Sequence, residues 1–254
     1  MLGASYNATS VTENWTGPEK NAQSWGLKLN AAAEQDTART NWLTSLKEEF
    51  GRTQTAGSDE LTSADLIDLN SVYSIKKSQY VNPYVGFIAT TQNWKLLNPV
   101  TYTESVGNGV WVIKKPTQEL RTRAGLAFRQ VYDAVDYRRN ATTGLREGYS
   151  SADNPATPNI EELQHQTGGE WITNYMVSLN QNAKLESEAR VFSEFNGGAN
   201  LRWDNNLYVK LSTLVTMQLN YLWIYNYSRL PHPVWPLDSE KRLSVIIGFS
   251  YNLF

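Results

Sequence analysis

The sequence contains no cysteine, only two histidines and no long apolar run. Without cysteine the chain cannot form a disulfide framework, a thiolate metal site or a cysteine nucleophile. No segment approaches the ~18 consecutive apolar residues that a transmembrane helix needs. Charged residues make up 19% of the chain, below the ~25% of ordinary soluble domains. These absences narrow the classes of protein to be considered.

Catalytic and cofactor chemistry also lacks its usual residues. His165 and His232 both fall in predicted loops, and no G-x-S-x-G motif is present. Glu186 and Glu188 lie two residues apart, but the cations next to them favour ion pairing over acid–base catalysis. We therefore predict no enzyme, no catalytic residues, no metal and no cofactor. The net charge of −2 likewise predicts no nucleic-acid partner.

Alternation of apolar and polar residues recurs along most of the chain, which is typical of β-strands. In residues 214–228, one face carries Val215, Met217, Leu219, Tyr221, Trp223, Tyr225 and Tyr227. The pattern predicts about twelve strands, at 3–12, 22–34, 38–51, 61–76, 79–94, 103–114, 117–133, 168–181, 183–196, 200–212, 214–228 and 240–254. Two glycines in 106–112 predict a bulge or kink in the sixth strand.

The predicted connections alternate between short and long, with one short exception at 197–199. This places the tight turns at one end of the strands and the long loops at the other. An antiparallel up-and-down β-barrel has this layout, and outer-membrane barrels combine short periplasmic turns with long extracellular loops. In such a barrel the apolar face meets lipid and the polar face lines the lumen. A soluble sandwich with the apolar face inward is the alternative.

The aromatic residues of the apolar faces support the membrane interpretation. Two rings of outward aromatic side chains are expected at the two membrane interfaces. We predict as lipid-interface aromatics Trp25, Trp42, Trp171, Trp203, Trp223, Tyr225 and Tyr251. Tyr73 falls on the same outward face.

The opposite faces carry cations and anions in nearly equal numbers. We predict as pore-lining residues Arg121, Arg123, Arg129, Lys184, Glu186, Glu188, Arg190, Glu194, Arg202, Asp204 and Lys210. Lys28, Lys47, Glu49 and Asp68 share this face. A balanced set indicates cross-barrel ion pairs, because a selective pore would show an excess of one sign. Inward aromatics at Tyr84, Trp94, Phe192 and Tyr208 would narrow the lumen.

Several segments resemble a family of outer-membrane β-barrel proteins that carries a domain-of-unknown-function label. They are "NWTGPEKNAQSWGLKLNAAA" (14–33), "NWLTSLKEEFG" (41–51), "DLNSVYSIKKSQYVNPYVGFIATTQ" (68–92) and "GFSYNLF" (248–254). Pro18 and Glu19 replace part of the family's glycine pair. The last segment is similar to the C-terminal assembly signal of such barrels, although Asn252 stands where an aromatic residue is usual. The resemblance implies fold and location but no activity.

We therefore expect one all-β domain over 1–254, an antiparallel up-and-down transmembrane β-barrel of about 12 strands. We expect it in the bacterial outer membrane, with a signal peptide already removed, because "MLGASYNATS" has no apolar region. The expected function is a narrow passive channel. The alternative is a structural or assembly barrel that docks into a larger outer-membrane complex. The expected partners are outer-membrane lipid and other outer-membrane proteins.

Overall fold

A computed structural model describes residues 2–9, 22–55, 61–78, 80–92, 98–139, 145–150, 152, 158–212, 215–227 and 239–249. Within these residues the chain forms fourteen β-strands. They are β1 (Leu2–Thr9), β2 (Ala22–Asp36), β3 (Thr40–Thr55), β4 (Leu61–Ile75), β5 (Asn82–Thr91), β6 (Val100–Lys115), β7 (Gln118–Tyr132), β8 (Asp136–Arg139), β9 (Arg146–Tyr149), β10 (Leu163–Asn180), β11 (Ala183–Glu194), β12 (Ala199–Lys210), β13 (Val215–Tyr227) and β14 (Ser239–Phe249). No helix in the described part of the chain is long and apolar enough to cross a membrane.

Twelve of the strands form one closed antiparallel barrel. Each pairs with its neighbours along the chain, and β7 pairs with β10 across an inserted hairpin of β8 and β9. The first and last strands close the barrel, with Leu2 opposite Phe249 and Ala4 opposite Ile247. The predicted up-and-down antiparallel barrel is therefore confirmed, because every strand of the wall has a partner on both sides.

Tight turns join the strands at one end of the barrel, which we call the turn end. At 37–39 the Thr37 hydroxyl accepts hydrogen bonds from the backbone N–H groups of Arg39 and Thr40. At 181–182 the Asn180 side chain accepts one from the N–H of Asn182. Such side-chain acceptors stabilise short turns by replacing a backbone partner. The opposite end, the loop end, holds the longer connections and the hairpin of β8 and β9.

Several sequence predictions differ from the structure. The eighth predicted strand begins at Leu163 rather than at 168, so His165 lies in a strand and not in a loop. Its ring stacks on Phe128 of the neighbouring strand, with centroids 5.6 Å apart. The hairpin of β8 and β9 was not predicted, because each of its strands has only four residues.

The bulge predicted at the two glycines of β6 lies instead between Trp111 and Ile113. The first of the glycines, Gly107, has a different role. A Cβ atom there would come within 2.1 Å of the carbonyl oxygen of Ala124, so only glycine allows β6 and β7 to approach this closely.

Strand register divides the residues of the wall between an inner and an outer face. Buried polar residues such as Lys28, Asp68 and Asp204 mark the inner face, whereas Leu126 and Val106 mark the outer face. Paired residues on adjacent strands share a face, so the assignment extends round the whole barrel. The barrel is therefore polar inside and apolar outside, the reverse of a soluble sandwich.

The two faces can be tested at neighbouring residues of β3. Leu46 pairs with Ala31 and Leu69 on the outer face, whereas Ser45 is in phase with Lys47 and Glu49 on the inner face. We expect Leu46→Arg to lower the free energy of unfolding in lipid vesicles by about 2–4 kcal/mol, because a cation would face hydrocarbon. Ser45→Arg serves as the control and is expected to cost clearly less. Urea titration measures both, and a larger cost at Ser45 would contradict the assignment.

Candidate functional site: a charge ring across the lumen

All the residues predicted from the sequence to line a pore lie on the inner face. They alternate with outward residues on three strands: Arg121, Arg123 and Arg129 on β7, Lys184, Glu186, Glu188, Arg190 and Glu194 on β11, and Arg202, Asp204 and Lys210 on β12. Lys210, the last residue of β12, is exposed at the turn end. The structure brings only some of them together, and it adds residues from the opposite wall.

Six charged side chains form a closed ring of alternating sign, which we call the charge ring. In order around the ring they are Lys47, Glu188, Arg190, Asp68, Arg202 and Asp204. The Lys47 Nζ lies 3.3 Å from a carboxylate oxygen of Glu188 and 3.6 Å from one of Asp204. One lysine therefore bridges two carboxylates of the facing wall.

The other half of the ring is built on Asp68. Arg190 donates two hydrogen bonds to the Asp68 carboxylate, at 2.9 and 3.1 Å, and one to Glu188 at 2.9 Å. Arg202 lies 3.7 Å from Asp68 and 3.8 Å from Asp204. The fork from Arg190 to Asp68 is the strongest geometry in the ring, because both oxygens of one carboxylate are engaged.

The charge ring joins opposite walls of the barrel at mid-height. In the barrel order, β3 and β11 are six strands apart in either direction, and so are β4 and β12. Asp68 is the central residue of the fifteen in β4. Its side chain is only 1% exposed and that of Asp204 only 4%, so little space is left around either carboxylate. The ring therefore crosses the lumen at the middle of the barrel.

Strand register explains why the two walls need each other. On the β11–β12 wall, Glu188 pairs directly with Asp204, and Arg190 pairs directly with Arg202. Like charges opposite each other destabilise a strand pair. Lys47 and Asp68, themselves a direct pair on β3 and β4, contribute one opposite charge to each like-charged pair. The facing wall thus neutralises two repulsive pairs at once.

Amide side chains support the ring from behind. Asp204 accepts hydrogen bonds from the side-chain amides of Asn206 at 3.0 Å and Asn220 at 2.6 Å. Asn220 also donates to Asn206 at 2.9 Å, and Gln218 donates to the same Asn206 oxygen. Gln218 and Asn220 are each only 1% exposed. These neutral donors hold the Asp204 carboxylate in place for Lys47 and Arg202.

The three predicted arginines of β7 do not join the ring. Arg123 is buried, lies 3.7 Å from Glu170 and rests over the ring of Tyr84. The guanidinium of Arg129 stacks 3.9 Å from the centroid of Phe192, and that of Arg121 lies 5.2 Å from the centroid of Trp111. Inward aromatics thus narrow the lumen, as predicted for Tyr84 and Phe192. The inward position of Trp94 was also predicted, but this residue lies outside the described part of the chain.

A polar cavity of about 600 Å³ extends from the charge ring towards the turn end. Three ring residues line it, and so do Lys28, Asn30, Ser45, Glu119, Asn174, Lys184, Glu186, Asn206 and Tyr208. Lys184 and Glu186 form their own ion pair at 2.6 Å, and Lys28 pairs with Glu49 at 2.7 Å. A volume of this size is typical of a site for a small molecule.

The predicted interface aromatics lie on the outer face wherever the structure describes them. Five of them lie seven to eleven residues from the turn end of their strands: Trp203, Trp223, Trp171, Tyr225 and Trp25. Trp42 and Tyr73 lie two residues from the turn end. The arrangement gives two outward aromatic levels. Tyr251 lies outside the described residues.

Three tryptophans of the outer face have their polar N–H groups paired with neighbouring side chains. The indole N–H groups of three exposed tryptophans donate to hydroxyls on the neighbouring strand: Trp42 to Ser71 at 3.0 Å, Trp171 to Thr122 at 2.7 Å and Trp203 to Ser187 at 2.9 Å. In hydrocarbon, where no water is available, an unpaired polar group costs several kcal/mol. The pairing suits an outer face in contact with lipid.

Sequence reasoning placed Lys47 and Asp68 on the inner face but did not name them as partners of β11 and β12. The signal that could have found them is that β11 and β12 place like charges directly opposite each other. Such pairs require opposite charges from another part of the chain. Glu170, the partner of Arg123, was missed altogether. It lies within the predicted strand 168–181, next to the outward Trp171, so the alternation of faces could have placed it on the inner face.

Comparison with known proteins gives a family and weak structural likenesses. The family model described as "Protein of unknown function, DUF481" matches residues 19–249. No curated protein matches the chain. A NanC porin in a rhombohedral crystal form is similar over 98% of each chain, with 11% identity and a TM-score of 0.42. The translocator domain of the autotransporter NalP from Neisseria meningitidis is similar over 98% of this chain and 86% of its own, with 12% identity and a TM-score of 0.45.

A double-mutant cycle tests the charge ring. Asp68→Asn leaves Arg190 and Arg202 facing each other, and we expect it to lower the free energy of unfolding by about 3–5 kcal/mol. Adding Arg190→Gln is expected to cost less than the sum of the single changes, with a coupling of about 1–3 kcal/mol. Asp68→Asn combined with Lys184→Met is the control, because Lys184 pairs with Glu186 instead. Additive effects of Asp68 and Arg190 would contradict the ring.

Proposed function

We propose that this chain, which belongs to the family described as "Protein of unknown function, DUF481", is a barrel of the bacterial outer membrane. We propose further that the barrel acts as a narrow passive channel for small polar solutes. The proposal includes no catalytic step. The observation that carries it is a polar cavity of about 600 Å³ that ends at a charge ring across the lumen.

The outer face supports the membrane part of the proposal. Exposed apolar side chains such as Leu27, Val106 and Leu126 cover the outer face of the wall. The barrel is closed, so no edge strand would expose unpaired backbone groups to hydrocarbon. Strands of 10 to 18 residues in the described wall, apart from β1, exceed or match the ~9–11 that a bilayer requires.

The cavity and the charge ring support the channel part. Every contact of the ring that crosses the lumen involves Lys47 or Asp68. The other two contacts, Arg190 to Glu188 and Arg202 to Asp204, each lie within one strand. A small movement of the β3–β4 wall would therefore release all the cross-lumen contacts together. We propose the ring as the constriction that limits passage.

Planar-bilayer conductance tests the channel. Lys47→Met with Asp68→Asn removes all the cross-lumen contacts of the charge ring without changing the net charge, so we expect conductance several-fold above that of the wild type. The matched control is Lys28→Met with Glu49→Gln, which removes an inward ion pair between the adjacent strands β2 and β3. The control is expected to conduct like the wild type. If the barrel inserts but no variant conducts, the channel is excluded.

The loop end favours a second candidate function, a structural barrel that docks into a larger outer-membrane assembly. The hairpin of β8 and β9 forms a sheet separate from the barrel. Beside it, Leu145, Ile160 and Leu163 are exposed apolar residues. Exposed apolar side chains near one another often mark a protein contact. In this function the charge ring would serve only to brace the wall.

Removal of the hairpin tests this second function. We expect replacement of residues 137–159 by a short Gly-Ser linker to leave the barrel folded, because Asp133 and Glu162 are already hydrogen-bonded to each other at the base of the insertion. Heat-modifiability on gels measures folding. Loss of a stoichiometric partner that crosslinks to the intact protein in native membranes would support docking. An unchanged crosslinking pattern would contradict it.

A further inference from the structure

The β11–β12 wall presents a dipolar patch to the lumen. Glu188 and Asp204 form a row of two anions on the inner face. Arg190 and Arg202 form a row of two cations on the same face, two residues further from the turn end on each strand. The patch is neutral as a whole but repulsive within each row. It therefore favours a partner that brings one cation and one anion at once, at a fixed separation.

Lys47 and Asp68 are such a partner. They pair directly across β3 and β4, so their side chains start about 5 Å apart. The ammonium lies between the two carboxylates, and the carboxylate lies between the two guanidinium groups. The facing wall thus occupies the patch in the way a ligand with two opposite charges would occupy it.

Arg202 retains capacity for a further anion. Its contacts to Asp68 and Asp204, at 3.7 and 3.8 Å, are longer than those of Arg190. Its buried Nε has no hydrogen-bond acceptor among the described residues. A buried N–H donor that makes no hydrogen bond costs free energy. A carboxylate that accepts a hydrogen bond from this guanidinium would therefore be bound favourably.

We infer that the dipolar patch is a recognition site for small zwitterionic solutes, which replace Lys47 and Asp68 as they pass the charge ring. The solute's amine takes the place of the Lys47 ammonium between Glu188 and Asp204. Its acidic group takes the place of the Asp68 carboxylate between Arg190 and Arg202. The inference names a class of solute for the proposed channel. It rests on that proposal for the statement that the solute crosses the membrane. Binding to the patch can be measured without conduction.

The cavity provides the approach to this site. Lys47, Glu188 and Asp204 form its inner end, so a solute that enters from the turn end meets the anionic row first. The charged residues of the lining are three cations and four anions: Lys28, Lys47, Lys184, Glu119, Glu186, Glu188 and Asp204. A cavity whose charges nearly balance does not repel a zwitterion, in contrast to a lumen with one dominant sign.

Heat-denaturation of the purified barrel in detergent tests the site. The probe is 4-aminobutyrate, which carries one amine and one carboxylate at the two ends of a short flexible chain. Butyrate and butylammonium, separately and mixed, are the single-charge probes. In the variant Lys47→Met with Asp68→Asn, the facing wall no longer places charges on the dipolar patch. For this variant we expect 4-aminobutyrate to raise the unfolding midpoint at a concentration at least ~10-fold lower than the concentration of the mixture that gives the same rise.

The control variant is Lys28→Met with Glu49→Gln, in which the charge ring keeps its own partners. It is expected to respond to 4-aminobutyrate no better than to the mixture of butyrate and butylammonium. A second measurement covers the case in which the Lys47/Asp68 variant does not fold alone. Its refolding from urea is then expected to recover with 4-aminobutyrate and not with the mixture.

The outcomes separate the two proposals. Equal effects of 4-aminobutyrate and the mixture on both the unfolding midpoint and refolding would overturn the zwitterion site, whatever the conductance. Stabilisation by 4-aminobutyrate that disappears when Arg190→Gln and Arg202→Gln are added would support it. A barrel that binds the probe but never conducts retains the recognition site and loses the channel.

Discussion

Repulsion between neighbouring like charges on one wall is the constraint on which the interior depends. Glu188 faces Asp204, and Arg190 faces Arg202, in direct register. Two like charges about 5 Å apart repel by about 3 kcal/mol at an effective dielectric constant of about 20. An ordinary cross-strand contact stabilises by only about 0.2–1 kcal/mol. Within each strand, Arg190 pairs with Glu188 at 2.9 Å and Arg202 lies 3.8 Å from Asp204, which offsets part of this repulsion. The opposite charges that Lys47 and Asp68 bring from across the lumen complete the neutralisation of both rows.

Barrel closure is what supplies those charges. Twelve strands place β3 and β4 diametrically opposite β11 and β12, and the register of each pair sets Lys47 and Asp68 at the level of the two charged rows. On the outer face, the indole N–H groups of Trp42, Trp171 and Trp203 donate to hydroxyls on adjacent strands. The same alternation of residues therefore pairs inner charges across the lumen and these outer N–H groups along the wall.

The sequence predicted the strands and faces of the barrel wall better than the contacts between side chains inside the lumen. A period of two identifies strands and faces because it is a local property, so the barrel, its two ends and the inward phase of Arg190 and Asp204 could be predicted. The partner of Arg190 is Asp68, 122 residues away. Such a contact depends on strand number and on accumulated register, which no local pattern reports. The hairpin of β8 and β9 escaped prediction because strands of four residues hardly reveal a period.

Charge balance on each wall separately decides how the ring can open. Lys47 and Asp68 cancel on one side, and two anions cancel two cations on the other. Separation of the walls therefore leaves no net charge on either side of the lumen. Each ion still has its own desolvation cost, which water that enters between the walls would lower. The two like-charged pairs would then lose their opposite charges, and water or a dipolar solute could replace them. A ring of one sign would attract counterions over a Debye length, whereas the proposed site would discriminate only at contact.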